Sequence, residues 1–248
     1  RYSYLSQQFS NCEGLWRNLK NFVKTGDFTL GKELTKFEKK FAKLIGTKYA
    51  VGVNSGTDAI KLSLKVIGIK PGDEVITAAN TFVATVGAIC ELGAKPIFVD
   101  CDDSFCLDVN LVEKKINKKT KAIVPVHFTG YMTNMIKLNK IAKKYKIPIV
   151  EDACQSILAS INKKNSGTWS NFGAFSLHPL KNINVWSDGG IIVTSNKKHY
   201  EHLKLLRNHG LVDRDNVKLS GYNSRLDTLQ AVVGNWLIPS AKKIANQR

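Results

Sequence analysis

Residues 48–77, KYAVGVNSGTDAIKLSLKVIGIKPGDEVIT, decide the fold. Residues 48–54 form a short apolar run that reads as a strand. Residues 57–67 carry apolar side chains at helical spacing and stop near Gly68. Pro71-Gly72-Asp73 is a turn, and residues 74–77 are a second buried strand. A strand, a helix and another strand in this order form a crossover unit, which places the two strands parallel. The rhythm continues outward: helices over 82–92, 111–116 and 135–145, and strands over 96–99, 122–126 and 147–151. The expected class is α/β, a mostly parallel sheet with helices on both faces. Residues 172–177 and 190–194 read as strands with no helix between them, so this pair is free to run antiparallel. Helical patterns follow at 198–208, closed by Gly210, at 226–236 and, in a basic segment, at 239–248.

Composition narrows the function classes. The chain has 248 residues, 43% hydrophobic and 23% charged, an ordinary globular balance. No apolar run approaches the roughly 20 residues that span a bilayer. The start, Arg1-Tyr2-Ser3-Tyr4-Leu5, lacks the apolar core of a signal peptide, so a cytoplasmic protein is expected. The absence of Met at Arg1 and the uncapped end at Arg248 read as the edges of a fragment. Five cysteines, Cys12, Cys90, Cys101, Cys106 and Cys154, form no CxxC pair, and no His or Cys cluster has zinc spacing, so no metal site is expected. They read as reduced thiols, with Cys90 and Cys154 partly buried. The net charge of +17 is spread over lysine pairs with no arginine-rich arm. It reads as a solvated surface, not a nucleic-acid site, although it suits attraction of a phosphorylated ligand.

In open parallel sheets, ligands bind at the carboxyl ends of the strands, and three residue groups fall there. Asn54-Ser55-Gly56-Thr57 joins a strand to a helix. Its first-turn N–H groups suit a phosphate, with hydroxyls from Ser55 or Thr57, but the same residues also make a plain helix cap. Glu151-Asp152 ends a buried strand, where two acids are costly unless paired. One of them can hold a protonated ring nitrogen, or both can serve as a cap or a salt bridge. Lys181 lies among small and apolar residues between two strands, where a desolvated amine becomes a nucleophile or base; by residue type alone it is one surface lysine among many. His178 reads as structural, and His127 as either structural or catalytic.

With these residues in place, the sequence resembles the DegT/StrS family of sugar aminotransferases, which have the aspartate aminotransferase fold (fold type I). The resemblance rests on FTLGKELTKFEKKFAKLIGTKYAVGVNSGTDAI, GDEVITAANTFVAT, GAKPIFVD, KTKAIVPVHFTG, VEDACQS, FGAFSLHPLKN, SDGGIIVT, LLRNHG and GYNSRLDTLQA, in family order over nearly the whole chain. Lys181 stands five residues after Ser176 and twenty-nine after Asp152, as the family pattern requires.

The resemblance implies pyridoxal 5′-phosphate as cofactor, with Lys181 as the Schiff-base lysine and Asp152 on the pyridine nitrogen. It implies Gln155 at the phenolic oxygen, Phe82 stacked on the ring, and Ser55, Gly56, Thr57 and Ser176 around the phosphate. Asn223 matches the asparagine that reaches the phosphate in the neighbouring subunit, which implies a homodimer with shared active sites. The implied reaction moves an amino group from an amino acid, glutamate, to a nucleotide-linked keto-sugar in amino-sugar and cell-surface polysaccharide biosynthesis. The implied division is an N-terminal segment over 1–30, a cofactor-binding large domain over 31–230, and over 231–248 the start of a helix leading to the family's small C-terminal domain, absent here. Ser187, where glycine is common, and His178-Pro179-Leu180 depart from the pattern and mark a subgroup. The alternatives are a sugar dehydratase of the same family, which carries histidine in place of the lysine, and a non-catalytic regulatory or binding module.

Overall fold

The computed structural model describes residues 5–247. The N-terminal stretch over 1–4 and the last residue of the basic segment, 248, lie outside the described residues. A short helix α1 (Leu5–Gln8) precedes α2 (Glu13–Val23) and α3 (Lys32–Ile45). The strand-helix alternation then runs β1 (Tyr49–Val53), α4 (Gly56–Val66), β2 (Glu74–Ala78), α5 (Val83–Cys90), β3 (Lys95–Val99), α6 (Val109–Lys115), β4 (Thr120–Val124), α7 (Met135–Tyr145) and β5 (Val150–Asp152). A two-residue-strand hairpin, β6 (Ser160–Ile161) and β7 (Lys164–Asn165), turns through Asn162 and Lys163, both at positive φ. After it come β8 (Phe172–Ser176), β9 (Gly190–Thr194), α8 (Lys197–Leu206), α9 (Thr228–Leu237) and α10 (Ala241–Asn246).

Strands β3-β2-β4 pair in parallel, and β1-β9-β8-β5 form a second ladder. Parallel bridges Ile123↔Ile149 and Val126↔Asp152 join β4 to β5, so the ladders make one sheet in the order β3-β2-β4-β5-β8-β9-β1. Only β9 runs against its neighbours, as the helix-free connection from β8 allowed. The sheet is buried on both faces, which explains runs such as GIIVT with no polar alternation. Phe175, Ile191 and Val193 face the core beneath α2, α3 and α9, while Phe172, Ala174 and Ile192 face the core beneath α4. Arg207 ties three elements together: its Nη1 donates to Glu38 on α3 and to the Gly52 carbonyl (2.8 Å), and Gly52 N–H donates back to Glu38 (2.8 Å).

Cys90 departs from expectation. It is exposed, because α5 buries the face carrying Thr85, Ala88 and Ile89, and the next residue turns off that face. Among the described residues no helix is long and apolar enough to cross a membrane.

Glu151 is fully buried. It accepts from Gly167 N–H (2.7 Å), Trp169 N–H (2.8 Å) and the Ser170 hydroxyl (2.8 Å), and from His127 Nε2 (3.0 Å). Thr133 N–H donates to His127 Nδ1 (3.3 Å), which leaves Nε2–H for Glu151. His127 is therefore structural. Glu151→Ala strips four donors of their acceptor. The expected loss is on the order of 3–5 kcal/mol, read as a lowered urea midpoint; an unchanged midpoint would contradict this role.

Candidate functional site

The strand pleat separates the two acids of β5. Glu151 faces the His127 side and Asp152 the opposite side, toward α4 and α5. Asp152 is 6% exposed and lines a cavity of about 1140 Å³ at the carboxyl edge of the sheet. Ser55, Gly56, Thr57, Phe82, Gln155, Ser176 and Lys181 line the same cavity. Asn223 does not: it is exposed, in a backbone bridge to Asn208.

The α4 end of the cavity is built for an anion. Ser55 is the N-cap, and its hydroxyl accepts from Asp58 N–H (3.0 Å). A helix leaves its first N–H groups without internal partners, so those of Gly56 and Thr57 remain for a ligand. A Cβ on Gly56 would lie 2.8 Å from the Ser176 Cβ, and one on Gly190 would lie 2.1 Å from the Ser55 carbonyl oxygen. Two glycines thus let the helix start close against β8 and β9. The cap reading of Ser55 is borne out, and it leaves room for the anion reading, since the cap consumes only one donor.

The loop after β8 carries Lys181 into the cavity. His178 N–H donates to the Ser176 hydroxyl (3.3 Å), and Lys181 N–H donates to the His178 carbonyl (2.8 Å). His178 lines the cavity as part of this turn. Across from it, Phe82 caps α5 with its side chain 66% exposed at the cavity wall. Gln155 Oε1 accepts from Thr129 N–H (3.1 Å), which leaves its amide NH₂ as a donor for the cavity. Cys154 sits between Gly56 and Asp152. Burial pushes its thiol well above the ordinary range, and the Asp152 charge adds to this; Lys181 opposes both. It is a packing thiol, not a nucleophile.

Thr85 and Thr129 escaped the residue-by-residue reading. Thr85 hides in the apolar stretch TFVAT, three residues after Phe82 on the same turn of α5, and its hydroxyl reaches Asp152 (2.7 Å). Thr129 acts through its backbone at positive φ, for which its residue type gives no cue.

The sequence profile of the DegT/DnrJ/EryC1/StrS aminotransferase family matches residues 13–248. The chain belongs to this family. It is 38% identical over 246 residues to a pleiotropic regulatory protein of Geobacillus stearothermophilus, covering 98% of this chain and 66% of the relative. It is 42% identical over 210 residues to the dTDP-3-amino-3,4,6-trideoxy-alpha-D-glucose transaminase of Streptomyces venezuelae, covering 84% and 55%. The solved structure of NtdA from Bacillus subtilis, with bound cofactor PMP, superposes with a TM-score of 0.87 at 35% identity, over 94% of this chain and 53% of that one. The chain therefore spans 55 to 66% of the length of these two curated relatives. The fold is that of the fold type I aminotransferases.

The family's cofactor is pyridoxal 5′-phosphate, and the cavity fits it. The Gly56–Thr57 N–H groups and Ser176 would hold the phosphate, in a close approach that a Cβ on Gly56 would push apart by meeting Ser176 and Cys154. Asp152 offers a buried acceptor, Gln155 a donor, Phe82 an aromatic face and Lys181 an amine. Gly56→Ala is expected to weaken pyridoxal phosphate binding about tenfold or more, measured by absorbance titration; unchanged affinity would remove Gly56 from the cradle. Iodoacetamide should alkylate exposed Cys90 about tenfold or more faster than half-buried Cys154, whose thiol is held protonated, read by peptide mass spectrometry, and equal rates would refute the assignment of Cys154 as a packing thiol.

Proposed function

We propose that this chain is the cofactor-binding part of a pyridoxal-phosphate-dependent sugar aminotransferase, which takes an amino group from glutamate and delivers it to a nucleotide-linked keto-sugar. The observation that carries the reading is the convergence of Lys181, Asp152 and the α4 N-terminus on one cavity. The cofactor, when bound, supplies an electron sink for cleavage at the donor's α-carbon. Lys181 would hold it through Nζ, and as a free amine would take up a proton at the same atom. Asp152 holds the protonated ring nitrogen through an acceptor-only carboxylate. Gly56, Thr57 and Ser176 bind the phosphate, Gln155 donates to the phenolic oxygen, and Phe82 covers the ring. The sugar substrate is inferred from the transaminase relative.

The assembly in this proposal is a homodimer with shared sites. Exposed Phe82 (66%) and Tyr131 (68%) place apolar surface at the cavity. Asn223, held outward beside Ser224, is the residue offered to the neighbouring subunit. Ser224 itself is fixed by its hydroxyl bond to Asp58 (2.6 Å). The name of the Geobacillus relative favours a regulatory module as the second reading. Retention of the amine, the carboxylate and the phosphate cradle in one cavity favours the enzyme.

Borohydride reduction of the chain incubated with pyridoxal phosphate should add the reduced cofactor to the peptide bearing Lys181. Lys181→Ala should abolish that adduct, and glutamate added before reduction should diminish it. An adduct confined to other lysines, with Lys181 unmodified, would overturn the assignment.

A further inference from the structure

Asp152 is held at both of its oxygens. Its Oδ2 accepts from the Thr85 hydroxyl (2.7 Å) and its Oδ1 from Cys154 N–H (3.2 Å). Thr85 is 1% exposed, so water does not compete for this bond. The Thr85 oxygen lies 2.7 Å from the Thr81 hydroxyl oxygen. An ionised carboxylate only accepts, which sets the direction of the chain: Thr81 donates to Thr85, and Thr85 donates to Asp152. Each hydroxyl has one proton, so the second hydroxyl is polarised by the first and strengthens the bond to the carboxylate.

The arrangement has a reason in the cavity's charges. Lys181 and Asp152 lie in one cavity, and both charges act on the Cys154 thiol between them. A carboxylate at a strand end, free to rotate about its own side-chain bonds, would turn toward that amine, and opposite charges in a partly desolvated site attract strongly. Two donors, one on each oxygen of Asp152, hold it against this rotation. Each oxygen keeps acceptor capacity for a further donor. Thr85 N–H also donates to the Phe82 carbonyl (3.1 Å) in the first turn of α5. One helical turn therefore sets both the aromatic wall and the anchor of the carboxylate.

We propose that Thr85, backed by Thr81, is a positioning residue that orients the Asp152 carboxylate toward the ring nitrogen of the bound cofactor. The inference rests on the reading of the cavity as a pyridoxal phosphate site. Thr85→Val keeps the shape and removes the hydroxyl; Thr85→Ser keeps the hydroxyl. In the wild-type chain and its variants, pyridoxal phosphate affinity and the absorption spectrum of the bound cofactor are measured, with circular dichroism melting of each protein.

Thr85→Val is expected to weaken binding about tenfold, the loss of one hydrogen bond to a charged group, and to alter the bound spectrum. Thr85→Ser should restore both, and Thr85→Val should add no further loss in an Asp152→Asn background. Wild-type affinity and spectrum in a folded Thr85→Val chain would overturn the proposal. So would an equal loss in the Asp152→Asn background, or failure of a folded Thr85→Ser chain to recover. If Thr85→Val does not fold, Thr81→Val carries the test: a smaller weakening with the same spectral change supports the relay, and no change overturns it. Failure of the wild-type chain to bind pyridoxal phosphate at all would instead overturn the functional reading, and this inference with it.

Discussion

The buried carboxylate of Glu151 is the constraint on which the site depends. A charge with no exposure survives in a core only when its acceptor capacity is filled, and here two backbone N–H groups, a hydroxyl and an imidazole fill it. To deliver those N–H groups, the loop before β8 lies directly on the strand. A Cβ on Gly173 would fall 2.3 Å from the Gly167 Cα, so this close crossing needs a residue without a side chain. With Glu151 locked on one face of β5, the pleat directs Asp152 to the other face, into the cavity. Two adjacent acids thus have different surroundings: one fastens the strand, and the other faces the cavity.

The same economy of backbone shapes the phosphate end. Because β9 runs opposite to its neighbours, its first residue, Gly190, starts at the edge where the other strands end. There it abuts the Ser55 carbonyl, and Gly56 abuts Ser176. The helix start, the end of β8 and the start of β9 close on one point, where the positive end of α4 faces the cavity. The Lys181 loop leaves from the same place. Sheet topology therefore supplies the proximity on which the chemistry relies.

Much of this was legible in residues alone. The strand-helix rhythm over 48–151 requires parallel pairing, and the missing helix between 177 and 190 marks the antiparallel exception. Eight of the nine residues expected at the site do line one cavity, and Asn223 alone stands outside it. The unread features share a cause. The hairpin at 160–165 has strands too short to show a period, Thr85 looks like part of an apolar helix, Thr129 works through its backbone, and Cys90 turns outward by one helical step.

The order of strand and helix, the double-sided burial of the sheet and the chemical kinds of side chain at the strand ends were determined by the sequence by itself, because apolar periodicity and glycine placement are local properties. The three-dimensional structure alone decided that His127 is structural, bonded to Glu151, and that Thr85, in contact with Thr81, bonds Asp152. Those outcomes depend on partners 24 to 67 positions away in the chain, except for the Thr81–Thr85 contact across the start of α5. A hydrogen bond is set by the distance between its atoms in space, which no short window of sequence contains.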